Sequence, residues 1–122
     1  LDIPELIQEN ARRTLTSGLS ALESGWLSDN KFLVGDSVTL ADLAAYAEIG
    51  QLQPQFTNVY DLSPFPKVQR WLNDMMQVEH HDTVHVALTE LGDISVEAPS
   101  METIKSANKA ALGALKAALA EI

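Results

Sequence analysis

The chain has 122 residues, with 17 acidic against 8 basic residues and a formal net charge of −9. This length fits one domain with a single buried core. The basic residues are scattered apart from three near the C-terminus, which argues against nucleic acid and anionic membranes as partners, because both need clustered cations. The chain has no cysteine, which excludes disulfides, thiolate metal sites and a cysteine nucleophile, and fits a reducing compartment.

No apolar run approaches the length of a membrane span, and no apolar or Arg-rich leader opens the sequence. We therefore expect a soluble, cytoplasmic protein. Leu1 is not an initiator methionine, so we also expect the chain to be a processed or excised piece of a longer protein.

The first predicted helix runs from about Pro4 to Ser24. Four apolar residues of this region recur at i, i+4, i+7 and i+11, which is helical spacing: Leu15, Leu19, Leu22 and Trp26. A loop over residues 25–38 follows, and its apolar segment at residues 32–34 is expected to tuck under the domain.

The start of the second helix is the most specific local signal. Thr39 can serve as the N-cap, and Asp42 at position N3 can reach back to the Thr39 N–H, as in a capping box. Val38 and Leu43 stand at positions N′ and N4, where a hydrophobic staple would join them. We expect a structural role for these four residues, and we favour that role for Asp42 over a direct catalytic one.

The remaining helices are predicted from apolar periodicity and from residues that begin or end a helix. The second helix has one apolar face: Leu40, Leu43, Ala44 and Ala47. The third opens at Pro64 and Pro66 and carries Val68, Trp71, Leu72 and Met75. A fourth is capped by Asp82, is closed by Gly92, and carries Val84, Ala87, Leu88 and Leu91. The last is capped by Ser100, and one side of it consists of Met101, Ile104, Ala111, Leu115 and Ile122.

No run of strand period stands out, so the predicted fold class is all-α. We divide the chain into a helical domain over residues 1–95, and a connector with a C-terminal amphipathic helix over residues 96–122.

Two histidines have the spacing of a metal site. His81 and His85 stand at i and i+4, as zinc ligands on a helix would. A third ligand is needed, however, and Asp82 stands where a metalloprotease would have its general base. We therefore favour solvated or hydrogen-bonded surface histidines, with no metal site.

Two further sets of residues have both a functional and a structural interpretation. One set could line an aromatic or thioether pocket, although core packing is favoured by its helical spacing: Trp26, Phe32, Trp71, Met75 and Met76. A row of lysines on the last helix could dock an acidic partner, although a solvated helix face is the commoner role: Lys105, Lys109 and Lys116. Nothing in the sequence assembles a nucleophile, a base and an orienting group.

Four segments, in this order and spacing, resemble the C-terminal helical domain of glutathione S-transferases, especially theta-like members. They are Leu19-x-x-Leu22-Glu23, Phe32-Leu33-Val34-Gly35-Asp36, Val38-Thr39-Leu40-Ala41-Asp42-Leu43 and Pro66-Lys67-Val68-x-x-Trp71. The resemblance covers residues 12–91. It implies a helical bundle in which Thr39 and a buried Asp42 are a folding device of the core, with Trp71 as a further structural residue.

The resemblance also implies what this chain lacks. In the family, a thioredoxin-like N-terminal domain binds glutathione and supplies the Ser, Tyr or Cys that stabilises its thiolate. The helical domain adds the pocket for the electrophile and part of the dimer interface. Neither that N-terminal domain nor the first helix of the helical domain has a counterpart here. The resemblance therefore implies no catalytic, cofactor-binding or metal-binding residue in this chain, with glutathione as cosubstrate of a parent protein only.

Two functions are left open. The chain is either the helical substrate-pocket and dimerisation half of a transferase-like parent, inactive by itself, or a non-catalytic interaction module. Similar helical domains have the second role in elongation factor one B gamma and in aminoacyl-tRNA synthetase complexes. The expected partner is a thioredoxin-like domain or another protein chain. Because the missing first helix would expose apolar surface, we also predict self-association.

Overall fold

The computed structural model describes residues 2–122 and contains six α-helices. They are α1 (Ile3–Ala21), α2 (Leu40–Ile49), α3 (Pro66–Met75), α4 (His81–Val84), α5 (Val86–Leu91) and α6 (Met101–Ala120). A π-helical turn, Leu22–Trp26, continues α1, and a 3-10 turn, Gly50–Leu52, continues α2. Across the described residues, β-structure is limited to one isolated bridge between Phe32 and Gly35. The predicted all-α fold is confirmed.

Helix α1 begins with a capping box that the sequence analysis missed. The Asp2 carboxylate accepts the Glu5 N–H at 3.0 Å, and the Glu5 carboxylate accepts the Asp2 N–H at 3.1 Å. Every residue from 2 to 14 is exposed, so the first half of α1 extends away from the core. This half carries three exposed apolar side chains: Ile3, Leu6 and Ile7.

The π-helical turn corrects the predicted position of Trp26. The Leu27 N–H donates to the Leu22 carbonyl, five residues back, at 2.9 Å. A π-helical turn holds one residue more than an α-helical turn, so it changes which of the following residues face the core. Trp26 is therefore 60% exposed, and Leu27 takes the buried position with 0% exposure.

The core lies where the end of α1, the following loop, α2 and α3 meet. Helix α3 contributes its whole predicted apolar set, Val68, Trp71, Leu72 and Met75, all buried. From the loop, Phe32 and Leu33 are buried, whereas Val34 is exposed, so two of the three expected loop residues reach the core. Leu19, Tyr46 and Phe65 also belong to this cluster.

Helix α2 packs on the core with a different face from the predicted one. Its buried residues are Asp42 and Tyr46, with Ala45 and Ile49 partly buried. Leu40 and Leu43 are instead 79% and 49% exposed, and Ala44 and Ala47 are exposed as well. The predicted apolar row therefore exists, but it faces away from the core because a polar residue, Asp42, occupies the buried face.

The predicted fourth helix is two short helices, so its expected continuity is wrong. The chain breaks at His85, whose φ and ψ are −99° and 13°. Residue His80, with a left-handed φ of 67°, precedes α4 where Asp82 was expected as the cap. The predicted end is correct: Gly92 follows α5 with a φ of 72°, a conformation that favours glycine.

Helix α6 begins as predicted, with the Ser100 hydroxyl accepting the Thr103 N–H at 3.1 Å. It packs against α4 and α5. Ala107 is the buried residue of the helix. Its predicted apolar side is corrected, because Met101, Leu115 and Ile122 are exposed. Among the described helices, none has both the length and the apolar character needed to cross a membrane.

Candidate functional site

Asp42 is a buried carboxylate that joins three elements. It is 0% exposed. Its Oδ1 accepts the Leu33 N–H and the Trp71 indole N–H, both at 2.9 Å. Its Oδ2 accepts the Thr39 N–H at 3.0 Å and the Thr39 hydroxyl at 3.3 Å. A single side chain thus ties the loop, the start of α2 and the centre of α3 together.

These hydrogen bonds keep Asp42 ionised. Burial acts to raise the pKa of the carboxyl, but the donors from Leu33, Thr39 and Trp71 outweigh it, so the pKa lies below its ordinary value. A carboxylate with this set of donors is a folding group. It has neither the raised pKa nor the solvent access that a general acid at neutral pH needs.

The other residues predicted around this helix start are less buried, and Thr39 is partly buried. Thr39 and Asp42 have the reciprocal arrangement of a capping box, and the Asp42 N–H also donates to the Thr39 carbonyl at 3.1 Å. Val38 and Leu43, the predicted staple, are both exposed. Any contact between these two side chains therefore leaves much of their surface open to solvent.

A second carboxylate, on Glu23, has a role that the sequence analysis missed. It accepts the N–H groups of Lys67 and Val68, at 3.0 and 2.8 Å. Those donors belong to the first turn of α3, whose N–H groups have no partner within the helix. Glu23 thus caps α3 from the π-helical turn. No local pattern could have revealed this, because the partners are 44 and 45 residues apart.

The histidine interpretation needs a correction, because His81 is buried and not at the surface. It is 7% exposed. Its Nδ1 lies 2.8 Å from the Asp82 carboxylate, and its Nε2 lies 2.7 Å from the Tyr46 hydroxyl. A carboxylate only accepts, so Nδ1 donates to Asp82. The Gln53 amide donates to the Tyr46 hydroxyl at 3.1 Å, which extends the chain of hydrogen bonds.

This chain of hydrogen bonds serves packing between α2 and α4. Burial and the nearby charge of Asp82 raise the pKa of the Tyr46 phenol, although the hydrogen bond from Gln53 acts in the opposite direction. The ring of His85 stacks on that of His81 with centroids 4.4 Å apart. Within residues 2–122, no group of three or more His, Cys, Asp or Glu side chains could hold a metal ion.

A cleft of about 970 Å³ lies between α1, α3 and the loop that precedes α3. Its polar lining includes Arg12, Gln53, Asn58, Gln69 and Asn73. At one edge the hydroxyls of Thr16 and Tyr60 are hydrogen-bonded at 2.6 Å. The lining also includes Asp61 and Ser63, and the Ser63 N–H donates to the Asp61 carboxylate at 2.9 Å.

The sequence model of one family, described as "Glutathione S-transferase, C-terminal domain", matches residues 4–79. This match covers more than half of the chain, including α1, α2, α3 and the buried Asp42. The chain belongs to the family of glutathione S-transferase C-terminal domains. The resemblance drawn from the four sequence segments is thereby confirmed.

Two curated proteins are similar to this transferase-family domain. Dichloromethane dehalogenase from Methylorubrum extorquens is 33% identical over 82 residues, covering 63% of the chain and 27% of that protein. Glutathione S-transferase T1 from Arabidopsis thaliana is 36% identical over 84 residues, covering 64% of the chain and 34% of that protein. The chain therefore matches about a third or less of either relative's length. No solved structure matches it.

Proposed function

We propose that this chain is the helical substrate-pocket and dimerisation half of a glutathione transferase-like protein, and that it is not catalytic by itself. The observation that carries the proposal is the outward row of α2, where Leu40 and Leu43 are exposed. An apolar row on a helix normally faces a packing partner. Here the core-facing side of α2 is the one that holds Asp42 and Tyr46, so the outward row is available to a part of the parent outside this chain.

The first half of α1 supports the same proposal. Its exposed Ile3, Leu6 and Ile7 stand at i, i+3 and i+4, on one side of the helix. In the proposed parent, the missing first helix and the thioredoxin-like domain cover these side chains together with the row on α2. Until they are covered, a second copy of the chain is the available partner, which supports the predicted homo-oligomer.

The parent would use glutathione as cosubstrate and would conjugate it to hydrophobic electrophiles or reduce peroxides. The similarity to a protein named dichloromethane dehalogenase supports a small halogenated electrophile within this class. The reactive thiol would be bound and activated by the thioredoxin-like half. We place the protein in the cytoplasm and the C-terminal segment, residues 96–122, beside the substrate pocket of the parent.

Retention on immobilised glutathione tests whether the glutathione site lies in the other half of the parent. We expect the 122-residue chain not to be retained, because the proposal puts the glutathione site in the other half of the parent. A transferase of the same family with both domains serves as the positive control. Clear retention of the chain, released by free glutathione, would contradict the proposal.

The alternative is a non-catalytic interaction module, and the same exposed row on α2 favours it, since any partner chain could cover it. The coding sequence upstream of residue 1 separates the two. A βαβ pattern with Val-Pro or Ile-Pro followed by Glu-Ser or Gln-Ser would support the enzyme half. An initiator methionine immediately upstream would support the module.

A further inference from the structure

The second half of α6 carries an apolar seam that its own domain does not cover. Leu112, Leu115 and Leu119 follow each other at intervals of three and four residues, the spacing by which one helix packs along another, and Ile122 lies two residues beyond the end of α6. They are 51%, 56%, 59% and 101% exposed. The face that packs on the domain is a different one, centred on Ala107. We call these four residues the α6 seam.

A groove runs between the α6 seam and the body of the protein. It has a volume of about 260 Å³ and is lined by Thr83, Val84, Val86, Ala111, Ala114, Leu115 and Ala118. The alanine side chains are small, so a second helix can approach the bottom of the groove closely. Val84 is exposed on the opposite wall. Leu115 joins the groove to the seam, whose helical part from Leu112 to Leu119 is about 10 Å long at 1.5 Å per residue.

A row of lysines borders this surface on the solvent side. Lys109 and Lys116 stand about a quarter turn around α6 from the seam, at 100° per residue, and Lys105 lies about two turns before Leu112, almost in line with it. They are three of the 8 basic residues of a chain whose net charge is −9. Among residues 2–122, no carboxylate forms an ion pair with any of the three. Two acidic residues lie close to this row: Glu102 is three residues before Lys105 on α6, and the Glu90 carboxylate accepts the Ser106 hydroxyl at 3.3 Å.

We propose that this surface binds an amphipathic helix of a partner protein whose apolar residues are flanked by Glu or Asp. Charge complementarity selects this occupant. The apolar side of such a helix would fill the groove along the α6 seam, and its acidic flank would meet the lysine row. A second copy of the seam offers no acidic flank: an antiparallel pairing would bring the two lysine rows together, and a parallel pairing would leave each row without a partner.

Two synthetic helices of about 18 residues test the proposal, with identical leucines at the three-four spacing and either glutamates or lysines beside them. The full chain is titrated against each labelled peptide, and binding is read by fluorescence anisotropy. We expect the glutamate peptide to bind at least about tenfold more tightly and to weaken as salt rises, since the contact is partly ionic. The net charge of the chain alone would favour the lysine peptide, so the preference is diagnostic.

Four variants, two of them controls, assign the binding to this surface. Lys109→Glu/Lys116→Glu should reverse the preference between the two peptides, and Leu115→Gln/Leu119→Gln should weaken both by about tenfold or more. Lys31→Glu, on a loop far along the sequence, and Leu40→Gln/Leu43→Gln, on α2, should leave binding unchanged. The last variant separates this proposal from the proposed function, which concerns the α2 row. All substituted positions are exposed, and circular dichroism checks that the helices remain.

Equal binding of the two peptides, preference for the lysine peptide, or no binding would overturn the proposal. A wild-type dimer that Leu115→Gln/Leu119→Gln dissociates in sedimentation would overturn it too, because a second copy would then cover the groove. Such a result would implicate the first half of α1 of the second copy, which is acidic. There, Glu5 and Glu9 lie beside the exposed apolar residues.

Discussion

At the scale of single residues, Asp42 shows which contacts a local sequence motif can predict and which it cannot. The contact with Thr39 could be predicted, because the two residues are three apart and belong to a known helix-start pattern. The contacts with Leu33 and Trp71 could not be placed by local reasoning, since they join residues 9 and 29 positions apart. The same reason hid Glu23 and the pairing of Tyr46 with His81. The motif identified the residue, and the fold determined its partners.

Replacing Asp42 by alanine should destabilise the protein by about 3 kcal/mol or more. The substitution leaves the buried N–H groups of Leu33 and Trp71 without an acceptor, and each bond to a charged group is worth about 1.5–3 kcal/mol. Asp36→Ala, at an exposed position nearby, should change stability by no more than about 0.5 kcal/mol. Urea unfolding followed by tryptophan fluorescence measures both. Equal stabilities of the two variants would contradict the role of Asp42.

The contribution of Asp42 should also depend on pH. Because its pKa is lower in the folded than in the unfolded state, the stabilisation is present above the unfolded pKa of about 3.9 and is lost as pH falls through the folded pKa. The difference in unfolding free energy between wild type and Asp42→Ala should therefore be constant from neutral pH to about pH 5 and shrink below about pH 4. A difference that stays constant or grows on acidification would show that the folded carboxyl is not held ionised.

At the scale of elements, the presence of the helices could be predicted from the sequence. The face that each helix buries was harder to predict. Helix α3 has one strong apolar stripe, and all of it is buried. Helix α2 is apolar nearly all round, so periodicity selected the exposed row. In α1, one π-helical turn moved the buried position from Trp26 to Leu27. Such a turn leaves no mark in hydrophobic spacing, and this is why the sequence alone misplaced the tryptophan.

Two glycine substitutions test the close approach at the end of α2. A Cβ added at Gly50 would lie 2.8 Å from ring atoms of the buried Tyr46, whereas one added at Gly18 meets nothing within 4 Å. Gly50→Ala should therefore destabilise the protein by about 1–3 kcal/mol through overpacking. Gly18→Ala, inside α1, should stabilise it by about 0.5–1 kcal/mol. Thermal unfolding of both variants gives the comparison, and a neutral or stabilising Gly50→Ala would refute the packing of Tyr46.

At the scale of the whole molecule, hydrogen bonds join the elements around the core, whereas parts of three helices leave apolar side chains exposed. The core is closed around Trp71, Asp42 and Glu23 by hydrogen bonds between elements. The first half of α1, the outward row of α2 and the end of α6 expose apolar side chains. The family match over residues 4–79 and the greater length of the relatives fit this distribution. The sequence allowed the all-α class and the family to be predicted, but not which faces would be left open.

Sedimentation velocity at tens of micromolar tests the central claim, that the open row of α2 is built to be covered by another part of the parent or by a second copy. We predict that the wild-type chain sediments faster than a monomer. We also predict that Leu40→Gln/Leu43→Gln shifts it to the monomer, and that Val96→Gln, at another exposed apolar position, leaves it unchanged. A wild-type chain that stays strictly monomeric over this range would contradict the account.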